Sequence, residues 1–322
     1  MRTRLNLNEM PYLPPKEIRQ AGEKGLSVVN RYNFPEDRNL LQKLLADYSG
    51  VPKEHIVAYP GTDLLLREIV HMFAQERKIV MVFPTFLPTF YAAQQFAKNL
   101  SIIPLNPPDF ILNPDRLINE LNELALIIVD NPNNPTGKLL LDRSTVKTIL
   151  DNKNALLLVD EAYFEFTKIT YSNLIQEYPN LAIGRTISKA FGLAGVRIGY
   201  LIGGKTFLDK FATVSIMLSQ VGIYSAIAAM KNPGYVGKNI EMIQTERERV
   251  SQEVKRIGLE VYPSTTNFLL INTRIPDIGT KFLERDVLIL DLSDQWLPGF
   301  IRVAVGSKGE NDAFLRSLEE II

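Results

Sequence analysis

Lys189 lies in the run Arg185-Thr186-Ile187-Ser188-Lys189-Ala190-Phe191-Gly192, with hydroxyls on one side and apolar residues on the other. An arginine, Arg197, follows eight positions on. An amine in such company can condense with an aldehyde, while hydroxyls and a guanidinium hold a phosphate on the same molecule. A solvated lysine is the bland alternative, but solvated lysines rarely sit among Ala, Phe, Leu and Gly.

Two other segments carry polar groups to the ends of apolar runs. Asn131-Pro132-Asn133-Asn134-Pro135-Thr136-Gly137 comes after the apolar run Ala125–Val129. Its Asn-Pro steps and closing glycine make a rigid turn at a strand's C-terminal end, the edge where open α/β sheets bind ligands. The second is Asp160-Glu161-Ala162-Tyr163, after Leu156–Val159. An aspartate there either caps the next helix or holds a cation or protonated ring nitrogen. Taken alone, a cap is the commoner use.

Positioning these groups requires a sheet. Apolar runs at Ile79–Phe83, Ile102–Leu105, Leu124–Val129, Ala155–Val159, Ala182–Ile183 and Ile198–Ile202 alternate with helical periods. Consecutive Ile, Val and Leu suit strands covered on both faces, and the alternation predicts an α/β domain around a largely parallel sheet. Residues 1–25 read as an arm without a long period, 26–230 as a large domain and 231–322 as a small α+β domain. In the first of these, prolines and asparagines break the pattern. From Arg38 a helical face (Leu41, Leu44, Leu45, Tyr48) runs to Gly50. In the last region a charged helix is expected over Asn239–Ile257, and a final helix from Asn311.

Composition narrows the chemistry. Lysine plus arginine equals aspartate plus glutamate at 36 each, so no charge excess points to nucleic acid or an anionic membrane. With no cysteine, thiol catalysis, disulfides and cysteine-bound zinc drop out. The two histidines, His55 and His71, are too few for most histidine metal sites, and no metal is expected. His55 reads as solvated, His71 as packing or surface, and Trp296 as packing, with lining of a substrate pocket the lesser alternative. No apolar run reaches the roughly 18–20 residues of a membrane helix, and Met1 to Pro15 lacks the apolar core of a signal peptide. A cytoplasmic protein is expected. Gly199-Tyr200-Leu201-Ile202-Gly203-Gly204-Lys205-Thr206 fits a P-loop spelling, but its variable positions read as strand rather than loop.

Taken in order, these segments resemble the fold-type I pyridoxal-phosphate aminotransferases, in particular the histidinol-phosphate aminotransferase-like branch. The likeness extends over nearly the whole chain. Asn6-Leu7-Asn8-Glu9-Met10-Pro11-Tyr12, Arg31-Tyr32, Asp47-Tyr48-Ser49-Gly50-Val51, Gly61-Thr62-Asp63, Pro84-Thr85-Phe86, Asn267-Phe268 and Arg302-Val303 match its signatures. Each is weak; the ordered set is specific.

The resemblance implies roles. Lys189 would bind pyridoxal 5'-phosphate and later move the proton. Asp160 would pair with the pyridine nitrogen, keeping the ring an electron sink. Asn134 and Tyr163 would bond its O3′ oxygen, and Phe86 would stack on its face. Thr62 and Asp63, opening a helix, would offer N–H groups to the phosphate, with Thr186, Ser188 and Arg197 completing the cradle. Tyr32 would come from a partner subunit, implying a homodimer. Tyr12 and Arg302 would bind the substrate, Arg302 as a planar fork for an anion. The implied reaction moves an amino group from an amino acid or amino-alcohol phosphate to a 2-oxo acid, with histidinol phosphate the leading donor. Threonine-phosphate decarboxylation and aromatic amino acid transamination share the cofactor motifs and stand as alternatives. A non-catalytic ligand-binding domain is disfavoured, because Lys189 and Asp160 are both present. The chain also departs from the family pattern. Leu64 replaces an acid, Leu290-Asp291 stands where many relatives have a second arginine, and no Pro-Tyr/Phe-Asn segment occupies Met217–Ile223.

Overall fold

The computed structural model describes residues 2–322. After a two-residue strand, β1 (Thr3–Arg4), the large sheet is built from β2 (Ile56–Tyr59), β3 (Lys78–Phe83), β4 (Leu100–Pro104), β5 (Ala125–Asp130), β6 (Ala155–Asp160), β7 (Leu181–Thr186) and β8 (Gly199–Gly203). Their order is β2-β8-β7-β6-β5-β3-β4. β8 runs antiparallel to both neighbours, and the other pairings are parallel. Every residue of β5, β6, β7 and β8 is buried, which is why these strands read as unbroken apolar runs. The P-loop spelling falls on β8 itself, so no phosphate loop forms there.

The C-terminal region forms a second sheet. β9 (Glu260–Val261), β10 (Phe268–Asn272), β12 (Leu290–Asp291) and β13 (Phe300–Ala304) pair antiparallel in the order β12-β13-β10-β9. β11 (Val287–Leu288) pairs instead with β1, so the N-terminus is stitched onto this region. Alternation along β10 sorts its side chains. Phe268 and Leu270 join the core of the large sheet, while Leu269 and Ile271 join a second core with Val250, Val254, Phe282 and Phe314. The long helix expected from Asn239 begins at Gly234 and runs to Arg256. The last helix starts at Lys308, earlier than expected, because Ser307 and Glu310 form a capping box.

The N-terminal arm is not irregular throughout. Lys16–Leu26 is a helix that buries Ile18, Gly22 and Gly25. Its neighbour is the helix Gln220–Lys231, and a Cβ on Gly25 would strike the Val221 backbone. Gly22 and Gly25 are here the contact face of two closely packed helices. Pro35–Ser49 ends as expected, with Gly50 at a left-handed φ of 68°. Among the described residues no helix is long and apolar enough to cross a membrane, and no cluster of His, Cys, Asp and Glu could hold a metal ion.

Candidate active site

The C-terminal ends of β5, β6 and β7 open on a cavity of about 440 Å³. Lys189, Asp160, Tyr163, Asn134, Phe86, Thr62, Asp63, Thr186, Ser188, Arg197 and Arg302 all line it. Residues spread over some 240 positions of sequence thus meet at one sheet edge, with Arg302 brought in from β13. Two expected site residues are not brought there. Tyr12 is half-buried against the large core, its phenol pushed up by burial and then by Glu246 and Glu310. Tyr32 is 80% exposed on the surface.

Asp160 ends β6 with its side chain buried. Its Oδ1 accepts the Ala162 N–H at 3.0 Å, and the described residues give Oδ2 no hydrogen-bond partner. Burial, then the Asp130 charge, pushes its pKa up to about 7. The carboxyl therefore calls for a proton or a cation, more than the local turn alone would need.

Lys189 donates from Nζ to the carbonyl of Leu7 at 2.9 Å. Burial, then the nearby Arg302 charge, pushes its pKa down to about 8, so a useful fraction is neutral and nucleophilic near neutrality. Tyr163 is buried, with its ring edge-on to Phe268 at 5.1 Å. Its oxygen accepts Asn8 Nδ2 at 2.8 Å, leaving the O–H free to donate into the cavity.

Arg302 is buried and donates from Nη1 to Asn134 Oδ1 at 2.6 Å and from Nη2 to the Asn6 carbonyl. Burial pushes its pKa down to about 10, and its buried Nε has no partner among the described residues. With Arg302 on Oδ1, the Asn134 amide has its Nδ2 donor free to offer.

At the other end, Gly61 precedes the helix Thr62–Phe73 with φ 95°. A Cβ at Gly61 would collide with the Arg197 guanidinium, so glycine lets that cation reach the helix N-terminus. Arg197 pairs there with the Asp63 carboxylate, leaving Asp63 its backbone N–H as the group to offer an anion. Thr62 Oγ1 donates to the Arg185 carbonyl at 2.7 Å, and Thr186 Oγ1 accepts the Ser188 N–H at 3.1 Å. A twelve-residue helix pointing its N-terminus at the cavity, beside an arginine and hydroxyls, suits a phosphate.

These observations test the fit to pyridoxal phosphate. A carboxyl in need of a positive partner stands at one end and an anion cradle at the other. An amine and two free donors, on Asn134 and Tyr163, lie between, with an aromatic ring at the side. The residues present fit the group.

The comparisons agree. Residues 2–318 match the family model described as aminotransferase class I and II. The chain belongs to the class I and II aminotransferases. Within that family it is 34% identical to the histidinol-phosphate aminotransferase of Sulfurisphaera tokodaii, over 99% of this chain and 90% of that one. Identity to the histidinol-phosphate aminotransferase of Thermococcus gammatolerans is also 34%, over 99% and 92%. The crystal structure of the histidinol-phosphate aminotransferase from Clostridium acetobutylicum superposes with a TM-score of 0.88 at 22% identity, covering 99% of this chain and 98% of that one.

Several features of this aminotransferase escape a reading of its sequence. Asp130 is buried at the end of β5, yet Ile128-Val129-Asp130 repeats the pattern of Leu158-Val159-Asp160 and was legible as a second strand-end acid. Asn8, placed only in a signature, touches Tyr163. Glu161 and Arg185 form a buried ion pair at 2.9 Å on the face of β7 away from the cavity. His55, expected to be solvated, is half-buried with Nδ1 2.9 Å from the Gly203 carbonyl, because its 3₁₀ turn packs on the edge of the sheet. His71 is exposed on its helix beside Phe96. The Trp296 ring packs 4.3 Å from Phe83 and does not line the cavity.

Proposed function

We propose that this chain is a pyridoxal-phosphate-dependent aminotransferase that takes the amino group of histidinol phosphate and passes it to a 2-oxo acid. The observation that carries this reading is the convergence of Lys189, Asp160, Asn134, Tyr163 and Arg302 on one cavity. The names of the two 34% identical relatives support the donor.

When bound, the cofactor supplies an aldehyde that receives the amino group and a ring that withdraws electrons. The protein's own groups do the rest. Asp160 Oδ2 holds a proton at the ring nitrogen. Asn134 Nδ2 and the Tyr163 O–H donate to the ring oxygen and fix its plane. Lys189 Nζ, its pKa lowered to about 8 by burial, would take up the proton that leaves the substrate carbon and give it back within the site. Phe86 covers the ring face and excludes water. The N–H groups of Thr62 and Asp63, with Thr186, Ser188 and Arg197, hold the phosphate, and Arg302 binds the donor's anionic group. We assign Tyr32 to the phosphate of a partner subunit, which makes the working unit a homodimer. Its exposed neighbours Leu26 and Val29 support this placing.

A donor screen tests the reading. Purified protein loaded with pyridoxal phosphate is mixed in turn with histidinol phosphate, phenylalanine, tyrosine, glutamate and threonine phosphate. Absorbance reports amino transfer and a gas trap reports carbon dioxide. Transfer fastest with histidinol phosphate and without gas is expected. Gas from threonine phosphate, or a clear preference for an aromatic donor, overturns the substrate assignment. Failure to take up cofactor overturns the whole reading.

A further inference from the structure

Asp130 has no part in the chemistry derived above, and it does not line the cavity. It ends β5 as Asp160 ends β6. The parallel register pairs the two residues, so both carboxylates leave the same face of the sheet. The Asp130 side chain is 4% exposed and accepts three hydrogen bonds. Thr85 Oγ1 donates to Oδ1 at 2.5 Å. The Asn134 backbone N–H donates to Oδ2 at 2.7 Å, and Asn133 Nδ2 to the same oxygen at 3.2 Å.

These donors come from two different loops. Thr85 belongs to the segment that leaves β3, and the asparagines to the turn that leaves β5. Asn133 Nδ2 reaches across as well, to the Pro84 carbonyl at 3.1 Å. The residue after Thr85 is Phe86, one wall of the ring site, and Asn134 offers the donor for the ring oxygen. A buried carboxylate is tolerated only when donors surround it, so this acid fixes the separation of the two loops.

We propose that Asp130 is a positioning residue, clasping the Phe86 loop to the Asn134 loop and so fixing the seat of the cofactor ring. This inference rests on the function proposed above. Burial pushes the Asp130 pKa up to about 6, and the three donors limit that rise, so near neutrality the clasp works as a carboxylate.

The test titrates apo-protein with pyridoxal phosphate and records affinity and the circular dichroism that the bound ring acquires. Asp130→Ala should weaken binding by at least about ten-fold, the worth of a hydrogen bond to a charged group, and should diminish the ring's dichroism. Thr85→Val, which cuts the tie on one side only, should move both readouts the same way by a smaller amount. Asp130→Asn can accept from the Asn134 N–H and donate to Thr85, and should stay within about three-fold of the unaltered protein. A defect confined to fold stability would lower the melting temperature and leave the dichroism of bound cofactor alone. Should Asp130→Ala fail to fold, Thr85→Val decides, and an unaltered ring signal in that variant overturns the clasp. Unaltered protein that binds no pyridoxal phosphate overturns the proposed function instead.

Discussion

Arg302 Nη1 donates to the side-chain oxygen of Asn134 at 2.6 Å, tying β13 of the small sheet to the turn that follows β5. On the function proposed above, this one contact would serve two ends: it would leave the Asn134 amide donor for the ring oxygen and hold a guanidinium where a substrate anion arrives. Arg302→Ala should weaken anionic donors by about ten- to hundred-fold, the range for charge-assisted hydrogen bonds. Releasing the Asn134 amide should also shift the absorbance of bound cofactor. Arg302→Lys should recover part of the affinity, because an ammonium keeps the charge and loses the fork. Unchanged Michaelis constants in folded Arg302→Ala protein would remove Arg302 from the substrate site.

Asp160 makes the apo-protein's stability depend on pH. Its folded pKa of about 7 lies above the ordinary value of 3.8, from burial first and then from Asp130. A group that holds its proton more tightly when folded contributes stability that is complete below the unfolded pKa. That contribution is lost as pH rises through the folded pKa. Thermal melting of apo-protein should therefore show a loss from Asp160 developing between about pH 4 and pH 7, which Asp160→Asn removes. The same variant should cost orders of magnitude in turnover, since an amide cannot hold a cationic ring nitrogen. A melting profile identical in the two proteins would mean that Asp160 titrates normally.

How much of this could be read from the residues follows from the range of the forces involved. β5 and β6 are plain because strands buried on both faces must be apolar at consecutive positions, and the amides after β5 and the acid that ends β6 are placed by the same runs. The helix Lys16–Leu26 was hidden, because Gly22 and Gly25 weaken a helix locally and their benefit lies in contact with a helix about 200 residues away. The pairing of β1 with β11 was hidden for the same reason, two residues being too few to carry a period. Asp130 ends its strand as Asp160 does. Nothing in the order of residues shows that Thr85 and Asn134 would close on it.

Glu161 and Arg185 offer a test of the support beneath the site. Arg185 donates from Nε to Glu161 Oε2 at 3.0 Å, both side chains are buried, and the guanidinium carbon lies 3.7 Å from the Phe164 ring centroid. Glu161→Ala leaves that cation buried with Thr170 Oγ1, at 2.7 Å, as its hydrogen-bond partner and Glu165 as the one buried carboxyl still near it. Removing one partner of a buried pair costs about 3–5 kcal/mol, which urea denaturation should reveal. Glu161→Ala combined with Arg185→Met should regain part of this, because the buried cation is gone while Glu165, raised by burial, can hold its proton. A loss below about 1 kcal/mol in the single variant would show that water reaches the pair.

The last prediction concerns Tyr32, whose ring stands in solvent while its backbone is held. Gln220 Nε2 donates to the Tyr32 carbonyl at 3.0 Å, and Asn33 Nδ2 donates to the Leu218 carbonyl, so both residues are tied to the segment entering the helix Gln220–Lys231. A fixed backbone with a fully presented phenol suits donation to another subunit, where ordering cost has been met before association. Tyr32→Phe should then bind pyridoxal phosphate more weakly by about ten-fold, as expected for one hydrogen bond to a charged phosphate. Subunits carrying Lys189→Ala should be inactive alone, for want of the amine. In a mixed dimer the Lys189→Ala subunit still donates an intact Tyr32, and its Tyr32→Phe partner still supplies Lys189. One of the two sites is therefore complete. Mixing the variants under conditions that allow exchange should restore turnover at low cofactor concentration, with a yield that follows the heterodimer fraction. Sedimentation should show the dimer in the same samples. Activity that stays at the sum of the separate variants, with heterodimers demonstrably present, would place Tyr32 outside the neighbouring site.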